Sequence, residues 1–441
     1  MITQPSTQER KSLAPAPLTL IHKQARETRA PQLTRPLASR SRRFRIVHVI
    51  TRLIRGGADE NTLLTCNGQA AFGHDVHLVI GAEFSEAMLG RLDARVHVHP
   101  IETLVRDINP IKDISALIAM ISLFKDIPPD IVHTHTSKAG VIGRLAAGFS
   151  GVRGVIHGVH ILPFVNARAA SASFYLALEK LCACWTDAFV NVSQGMADIG
   201  LRYRIGRPSQ HCVVPSGMNV SEFREAEPFS LDELTQRLGH AAVLSPLLVC
   251  VAALEPRKRQ YEFLDVLVDI RRTLPDAHLA LLGEGADEQR LRDKVAALGL
   301  EGAVTFVGFS TEVSRWIASA SVCVFASERE GLPRAVIQYA MAGAPIVSTH
   351  LPGIEAVVKH GETGFLVDVS QLDAMAPPII QLLTEAKLAT KMREAARQLD
   401  FSDWETQRMI DKLDELYRSV MAPLEHGPHP ANMQLKRKVS R

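Results

Sequence analysis

Short runs rich in Val and Ile alternate with segments of helical length, and the alternation starts twice, near residue 44 and again near residue 246. Strands of a parallel sheet read as continuous apolar runs because helices cover both faces, and each crossover needs a helix-length connection. The rhythm therefore confines the chain to the α/β class. In the first half strands are expected at 45–51, 75–80, 131–133, 154–156, 188–191 and 212–214, with helices through 71 and near 112–125, 137–149, 171–185 and 194–202. In the second half strands are expected at 247–251, 278–282, 303–307, 321–325 and 346–348, with helices near 259–272, 286–298, 311–318, 333–342 and 371–397. An apolar helical pattern at 404–421 is placed to pack back across both halves. The expected organisation is two Rossmann-like, doubly wound domains, 44–220 and 246–402, facing a cleft. A linker, 221–245, joins them, and a crossing helix, 403–421, follows. Ligands in such sheets bind beyond the carboxyl ends of the strands.

The 441 residues are too many for one ordinary core, which agrees with two domains. A formal net charge of +3 gives no case for nucleic acid. The positive surplus is concentrated in 1–43, a Pro-, Ser- and Arg-rich stretch read as a disordered basic arm; the tail 422–441 reads as loose. The six cysteines are scattered, and Cys182-Ala-Cys184 lacks the spacing of a zinc or redox pair. No apolar run approaches the ~20 residues that span a bilayer, and none follows the basic start as in a secretory signal. The expected location is cytoplasmic.

The most specific segment is Ser327-Glu-Arg-Glu-Gly-Leu-Pro-Arg-Ala-Val-Ile-Gln-Tyr-Ala-Met-Ala-Gly-Ala-Pro345. It reads as an acidic loop running into a helix that starts near Pro333, a residue suited to a first helical turn. Gly331 lets a ligand approach the backbone, and the helix start offers unpaired N–H groups that suit a phosphate. Glu330 and Gln338 flank that start about two turns apart. A carboxylate and an amide around an anion site suit a ligand that is part sugar, part phosphate; Leu332 lies between them.

Other candidates sit at expected strand ends. Gly57, in Gly56-Gly57, is either a ligand approach or a tight turn. His133 and His135 precede Ser137, Lys138 and Gly140; they are either structural, or ligand contacts, or a zinc pair without a third ligand in register. His160 follows another strand and as neutral imidazole can accept from a sugar hydroxyl. Arg257, Lys258 and Arg259 form a basic cluster suited to phosphate. Gly283 and Gly285 follow a strand, but the segment lacks both the dinucleotide and the P-loop pattern.

These pieces, in this order, resemble the retaining glycosyltransferases of family four, which have the GT-B fold. The resemblance spans about residues 44–420 and is strongest over Ser327–Gly353 and the Gly361-Glu-Thr-Gly turn. It implies a nucleotide-diphosphate sugar donor, UDP- or GDP-linked, on the C-terminal domain and a glycan or lipid-linked acceptor against the N-terminal one. It makes Glu330 and His160 the catalytic pair. Lys258, Arg257, Gly283, Gly331, Leu332, Pro333, Gln338 and Gly57 become donor contacts; His133, His135 and Lys138 become acceptor-side residues. No metal or other cofactor is implied. The sequence departs from the family pattern twice. Gln338 stands where the second Glu of Glu-x7-Glu belongs, and Ala252-Ala253-Leu254 replaces the Gly-Arg-Leu arginine.

The expected function is thus sugar transfer with retention in surface polysaccharide or lipopolysaccharide biosynthesis. The basic arm, with Arg202, Arg204 and Arg207, would hold the protein peripherally on the anionic inner face of the plasma membrane. Two other readings stay open: a sugar-nucleotide 2-epimerase of the same fold, and a non-catalytic nucleotide-sugar-binding protein, which the two departures motivate.

Overall fold

The computed structural model describes residues 42–54, 56–162, 164–165, 169–238 and 245–422. The expected arm 1–43 lies outside them except for Arg42 and Arg43, and the expected tail 422–441 except for Ala422.

The first sheet contains β1 (Arg45–Leu53), β2 (Asp75–Phe84), β3 (His97–Pro100), β4 (Ile131–His135), β5 (Gly154–Val159), β6 (Ala188–Asn191) and β7 (His211–Val213). All pair in parallel, in the order β3-β2-β1-β4-β5-β6-β7. The second contains β8 (Leu247–Val251), β9 (His278–Leu282), β10 (Val304–Gly308), β11 (Val322–Phe325), β12 (Ile346–Thr349) and β13 (Gly364–Val367), also parallel, in the order β10-β9-β8-β11-β12-β13. Central strands are buried end to end, as the unbroken Val/Ile runs require. In each sheet the strand order reverses beside the first strand, between β1 and β4 and between β8 and β11. Those reversal points open crevices at the carboxyl ends.

The structure corrects the sequence reading in four places. Edge strands β3 and β13 were not expected, because four-residue runs carrying His-Val-His-Pro and Gly-Phe-Leu-Val have too little apolar pattern. β1, β2, β4 and β5 run two to four residues further than expected, which pulls His133 and His135 inside the sheet. The helical stretch 371–397 is a short 3-10 turn and two helices, Ala376–Thr384 and Ala386–Arg397. Segment 221–245, expected to be a linker with one helix, also packs: its Phe223, Phe229 and Leu238 lie in the same core as β8, β11 and β12.

The lobes are joined twice, and the two connections touch. Met218 N–H donates to Trp404 O at 2.7 Å, and Thr406 Oγ1 donates to Met218 O at 3.3 Å. From there the crossing helix Thr406–Met421 returns to the first lobe. Its Met409, Ile410, Leu413 and Tyr417 pack with Phe44, Ile46, Ile131, Ile156 and Val190, so the chain's C-terminal part completes the N-terminal core. Among the described residues no helix is long and apolar enough to cross a membrane.

Candidate active site

The crevice between the two sheets has a volume of about 1660 Å³. Its second-lobe wall is built at the β8/β11 reversal. Beyond β8, residues Pro256–Lys258 make a single 3-10 turn that ends on Arg259 in the left-handed region, φ 57°. Beyond β11, Ser327 to Glu330 form the acidic loop. The turn and the loop converge on one carboxylate. Glu330 Oε1 accepts from Lys258 Nζ at 2.5 Å, Arg257 Nη1 at 2.9 Å and Ser327 Oγ at 2.8 Å. The Lys258 and Glu330 side chains are each 11% exposed, so the cluster is mostly withdrawn from solvent. Arg257 Nε also meets Glu255 Oε2 at 2.9 Å, so two cations face two carboxylates here, and both carry donors that suit a diphosphate. Arg257 thus stands in the cluster that the missing Gly-Arg-Leu arginine left in question.

The helix after the loop begins at Arg334, with Pro333 as its N-cap, one residue later than expected. Gly331, Leu332, Pro333 and Gln338 all line the crevice. Gly331 is required by packing: a Cβ there would lie 1.5 Å from His160 O across the cleft. Ser193 Oγ donates to Gly331 O at 2.7 Å, a second tie between the lobes. Arg334 is a third. Its Cδ lies against Gly57 and its Nη1 donates to Gly217 O at 3.1 Å. Sequence reasoning passed over Arg334 because its partners are more than a hundred residues away.

On the first-lobe wall, Gly57, Lys138 and His160 line the crevice. Lys138 is held by Asp113 and by Asp107 O at 2.7 Å. Asp59, also on this wall, takes the Ile54 N–H at 3.3 Å, and burial pushes its carboxyl up to about 6.

Three expected site residues lie elsewhere. Gly283 does not line the crevice; at φ 133° it lets the chain pass Ala252, whose O would lie 2.1 Å from a Cβ. Its task is the turn. His133 and His135, expected on the acceptor side, are each 1% exposed within the sheet. A third imidazole also joins them, contrary to the expectation of none in register: His48 of β1 lies directly opposite His133. One ring nitrogen from each of His48, His133 and His135 falls within 4.8 Å of the others, a spacing open to a metal ion. Within this group His48 Nδ1 and His135 Nε2 are hydrogen-bonded to each other at 2.9 Å. His135 Nδ1 in turn meets His160 Nε2 at 3.2 Å. Burial holds His48 and His160 down at about 4 and pushes His133, His135 and His157 well below the ordinary imidazole range. All five are neutral at pH 7.

Comparison with known proteins agrees with this geometry. Residues 56–217 match the family of glycosyl transferase 4-like domains, and residues 241–399 match glycosyl transferases group 1. The chain is 26% identical over 347 residues to the Escherichia coli UDP-Gal:alpha-D-GlcNAc-diphosphoundecaprenol alpha-1,3-galactosyltransferase, covering 78% of this chain and 88% of that one. It is 28% identical over 301 residues to the putative glycosyltransferase EpsD of Bacillus subtilis, covering 66% and 77%. Its fold matches the crystal structure of Anabaena Alr3699/HepE with UDP and glucose, at a TM-score of 0.72 and 18% identity over 85% of this chain and 100% of that one. With both lobes matched and the cleft between them, the chain is a glycosyltransferase of the GT-B fold and of the family-four type.

Proposed function

We propose that the protein transfers a hexose or N-acetylhexosamine, with retention, from a UDP- or GDP-linked donor to a lipid-linked glycan at the cytoplasmic face of a membrane. The observation that carries the donor half is the convergence of Lys258 and Arg257 on Glu330 at the mouth of the second-lobe crevice, opposite His160. In this reading the cations hold the donor diphosphate and Glu330 orients the sugar beside it. The acceptor hydroxyl oxygen bonds to the anomeric carbon on the face that the leaving group vacates. The bond from that carbon to the diphosphate oxygen breaks, its electron pair stays on the diphosphate, and the acceptor's proton passes to that oxygen. Catalysis then rests on positioning and on stabilising the diphosphate charge. No metal is asked for in this scheme.

The acceptor half draws on the apolar end of the crevice. Ile114 and Leu117 of helix Pro110–Asp126, Leu145, and Phe174 of helix Ala169–Ala183 line it. Outward from it, Ile111 is 82% exposed and Ile118 63%, on the same helical stripe as Ile114 at 59%. Monomeric surfaces rarely leave such a stripe bare without a partner. Its continuity with the crevice makes the hydrocarbon chain of a lipid-linked acceptor the fitting occupant. The E. coli relative's named acceptor is of this chemical kind.

Thermal-shift screening against UDP, GDP and their sugar conjugates tests the donor half, since a ligand bound only to the folded state raises apparent stability. Glu330→Ala is expected to fold, to keep binding the nucleoside diphosphate and to lose sugar transfer. Wild-type turnover by that variant removes Glu330 from the mechanism. Epimerised donor in the absence of acceptor would replace transfer with isomerisation.

A further inference from the structure

A file of hydrogen-bonded side chains runs from the crossing helix through the first sheet to the crevice. Gln69 Nε2–H donates to Tyr417 Oη at 3.1 Å, and Gln69 Oε1 meets His48 Nε2 at 2.8 Å. His48 Nδ1 meets His135 Nε2 at 2.9 Å, and His135 Nδ1 meets His160 Nε2 at 3.2 Å. Gln69, His48 and His135 are fully or almost fully buried; His160 alone reaches the crevice.

The donor and acceptor roles propagate along the file. An amide oxygen only accepts, so His48 Nε2 carries the hydrogen. A neutral imidazole has one N–H, so His48 Nδ1 carries the lone pair and accepts from His135 Nε2–H. By the same rule His135 Nδ1 accepts from His160 Nε2–H. His160 Nδ1 is then a lone pair, and it is the ring nitrogen left to meet a ligand. The side branch is consistent: Tyr417 Oη, already accepting from Gln69, donates to His133 Nδ1 at 2.6 Å. Burial keeps every ring uncharged, as described above, so the roles cannot be blurred by protonation near neutrality.

We propose that Gln69, His48 and His135 are positioning residues that fix His160 as the Nε2–H tautomer and so present an Nδ1 lone pair to the donor sugar. The inference rests on the functional reading above for what occupies the crevice, and no proton moves along the file. Its value to transfer is electrostatic. A glycosyl transition state carries positive charge on the sugar ring. A lone pair directed at the ring favours that charge, whereas an N–H dipole opposes it. Hydrogen bonding at the second nitrogen is a general way to set which imidazole nitrogen is available. The remote anchor, Tyr417, belongs to the crossing helix, so the docking of that helix and the chemistry in the crevice share one network.

The decisive measurement is the tautomer of His160 in wild-type protein by long-range nitrogen–proton correlation of ring-15N histidine, assigned with His160→Gln. The Nε2–H form at neutral pH is expected; the Nδ1–H form, or an even mixture, overturns the proposal whatever the activity. Two variants add the functional reading. Gln69→Leu, at a buried position outside the crevice lining, should mix the tautomers and lower kcat about tenfold, the worth of one hydrogen bond, with donor KM within about twofold. His135→Gln keeps one donor and one acceptor and should hold turnover within about threefold, while His135→Leu should fall as Gln69→Leu does. Equal losses in both His135 variants indicate packing alone and count against the proposal. So does one equivalent of zinc retained by the wild-type protein through dialysis, since His48 and His135 would then hold the ion in place of each other. Absence of any sugar transfer with the tautomer as expected defeats the functional reading and leaves the network intact.

Discussion

Acid should destabilise the first lobe selectively. His48 and His160 lie in that lobe and are held at about 4 against an ordinary 6.5. Burial is the leading cause for both; the Gln69 hydrogen bond partly offsets it at His48, and the charge of Arg334 adds to it at His160. A base whose folded pKa lies below its unfolded value binds protons preferentially when unfolded. Stability is therefore complete above pH 6.5 and is lost as the pH falls from 6.5 towards 4. Each group contributes a slope of about 1.4 kcal/mol per pH unit in that window. Moving from pH 7.5 to 5.0 crosses one and a half units of it, about 2 kcal/mol per histidine and about 4 for the pair. Burial displaces His133, His135 and His157 in the same direction. Asp59 opposes them. Burial raises its carboxyl to about 6, so the folded state takes up that proton first and regains about 1.4 kcal/mol between pH 6 and 5. The balance of these three groups is a loss of about 3 kcal/mol. Urea unfolding at the two pH values and constant ionic strength, in a Trp316→Phe/Trp404→Phe background, would let Trp185 report the first lobe. His48→Gln should remove about 2 kcal/mol of the dependence. A first-lobe transition indifferent to pH, or an unchanged dependence in His48→Gln, would mean that these buried histidines do not couple protonation to unfolding.

Three further outcomes follow from particular contacts. Gly331→Ala should force the His160 carbonyl away, because the new Cβ would sit 1.5 Å from it, and transfer should fall at least about tenfold; steady-state kinetics with unchanged kcat/KM would deny that close approach. Arg144→Leu should destabilise by about 3–5 kcal/mol in denaturant titration, since Arg144 Nη2 meets Glu179 Oε2 at 2.8 Å with both side chains buried, and adding Glu179→Leu should recover most of the loss. Ile111→Ser/Ile114→Ser/Ile118→Ser should raise KM for a lipid-linked acceptor roughly thirtyfold, about 2 kcal/mol of apolar burial, and leave a short-chain water-soluble acceptor unaffected; equal effects on both acceptors would separate that stripe from the lipid.

A contact is legible in the chain only when the residues that make it lie close together in sequence. The Glu330–Gln338 segment could be read because a loop, a proline and a helix start are local events, written within a dozen residues. Lys258 and Arg257 could be read as a basic turn after a strand, though not as partners of Glu330, which lies seventy-two residues beyond Lys258. His133 and His135 were placed at a strand's end. Two more residues of pairing with β5 put them inside the sheet, and strand ends depend on neighbours that the local sequence does not contain. Gly283 looked like a ligand loop because a glycine that admits a phosphate and one that admits a neighbouring carbonyl have the same local pattern.

The class of fold, the twofold α/β rhythm, a last helix placed to return from the second lobe, and the acidic loop leading into a helix start were all written in the chain. Each is an effect of periodicity or of backbone preference over a few turns. Tertiary structure alone decided which cations share the Glu330 carboxylate, that Gly331 rests on His160, and that His48, Gln69 and Tyr417 stand in file behind that imidazole. Those contacts join residues 21 to 348 positions apart, and a hydrogen bond two or three ångströms long has no signature in the chain until the sheets and the crossing helix have brought its ends together.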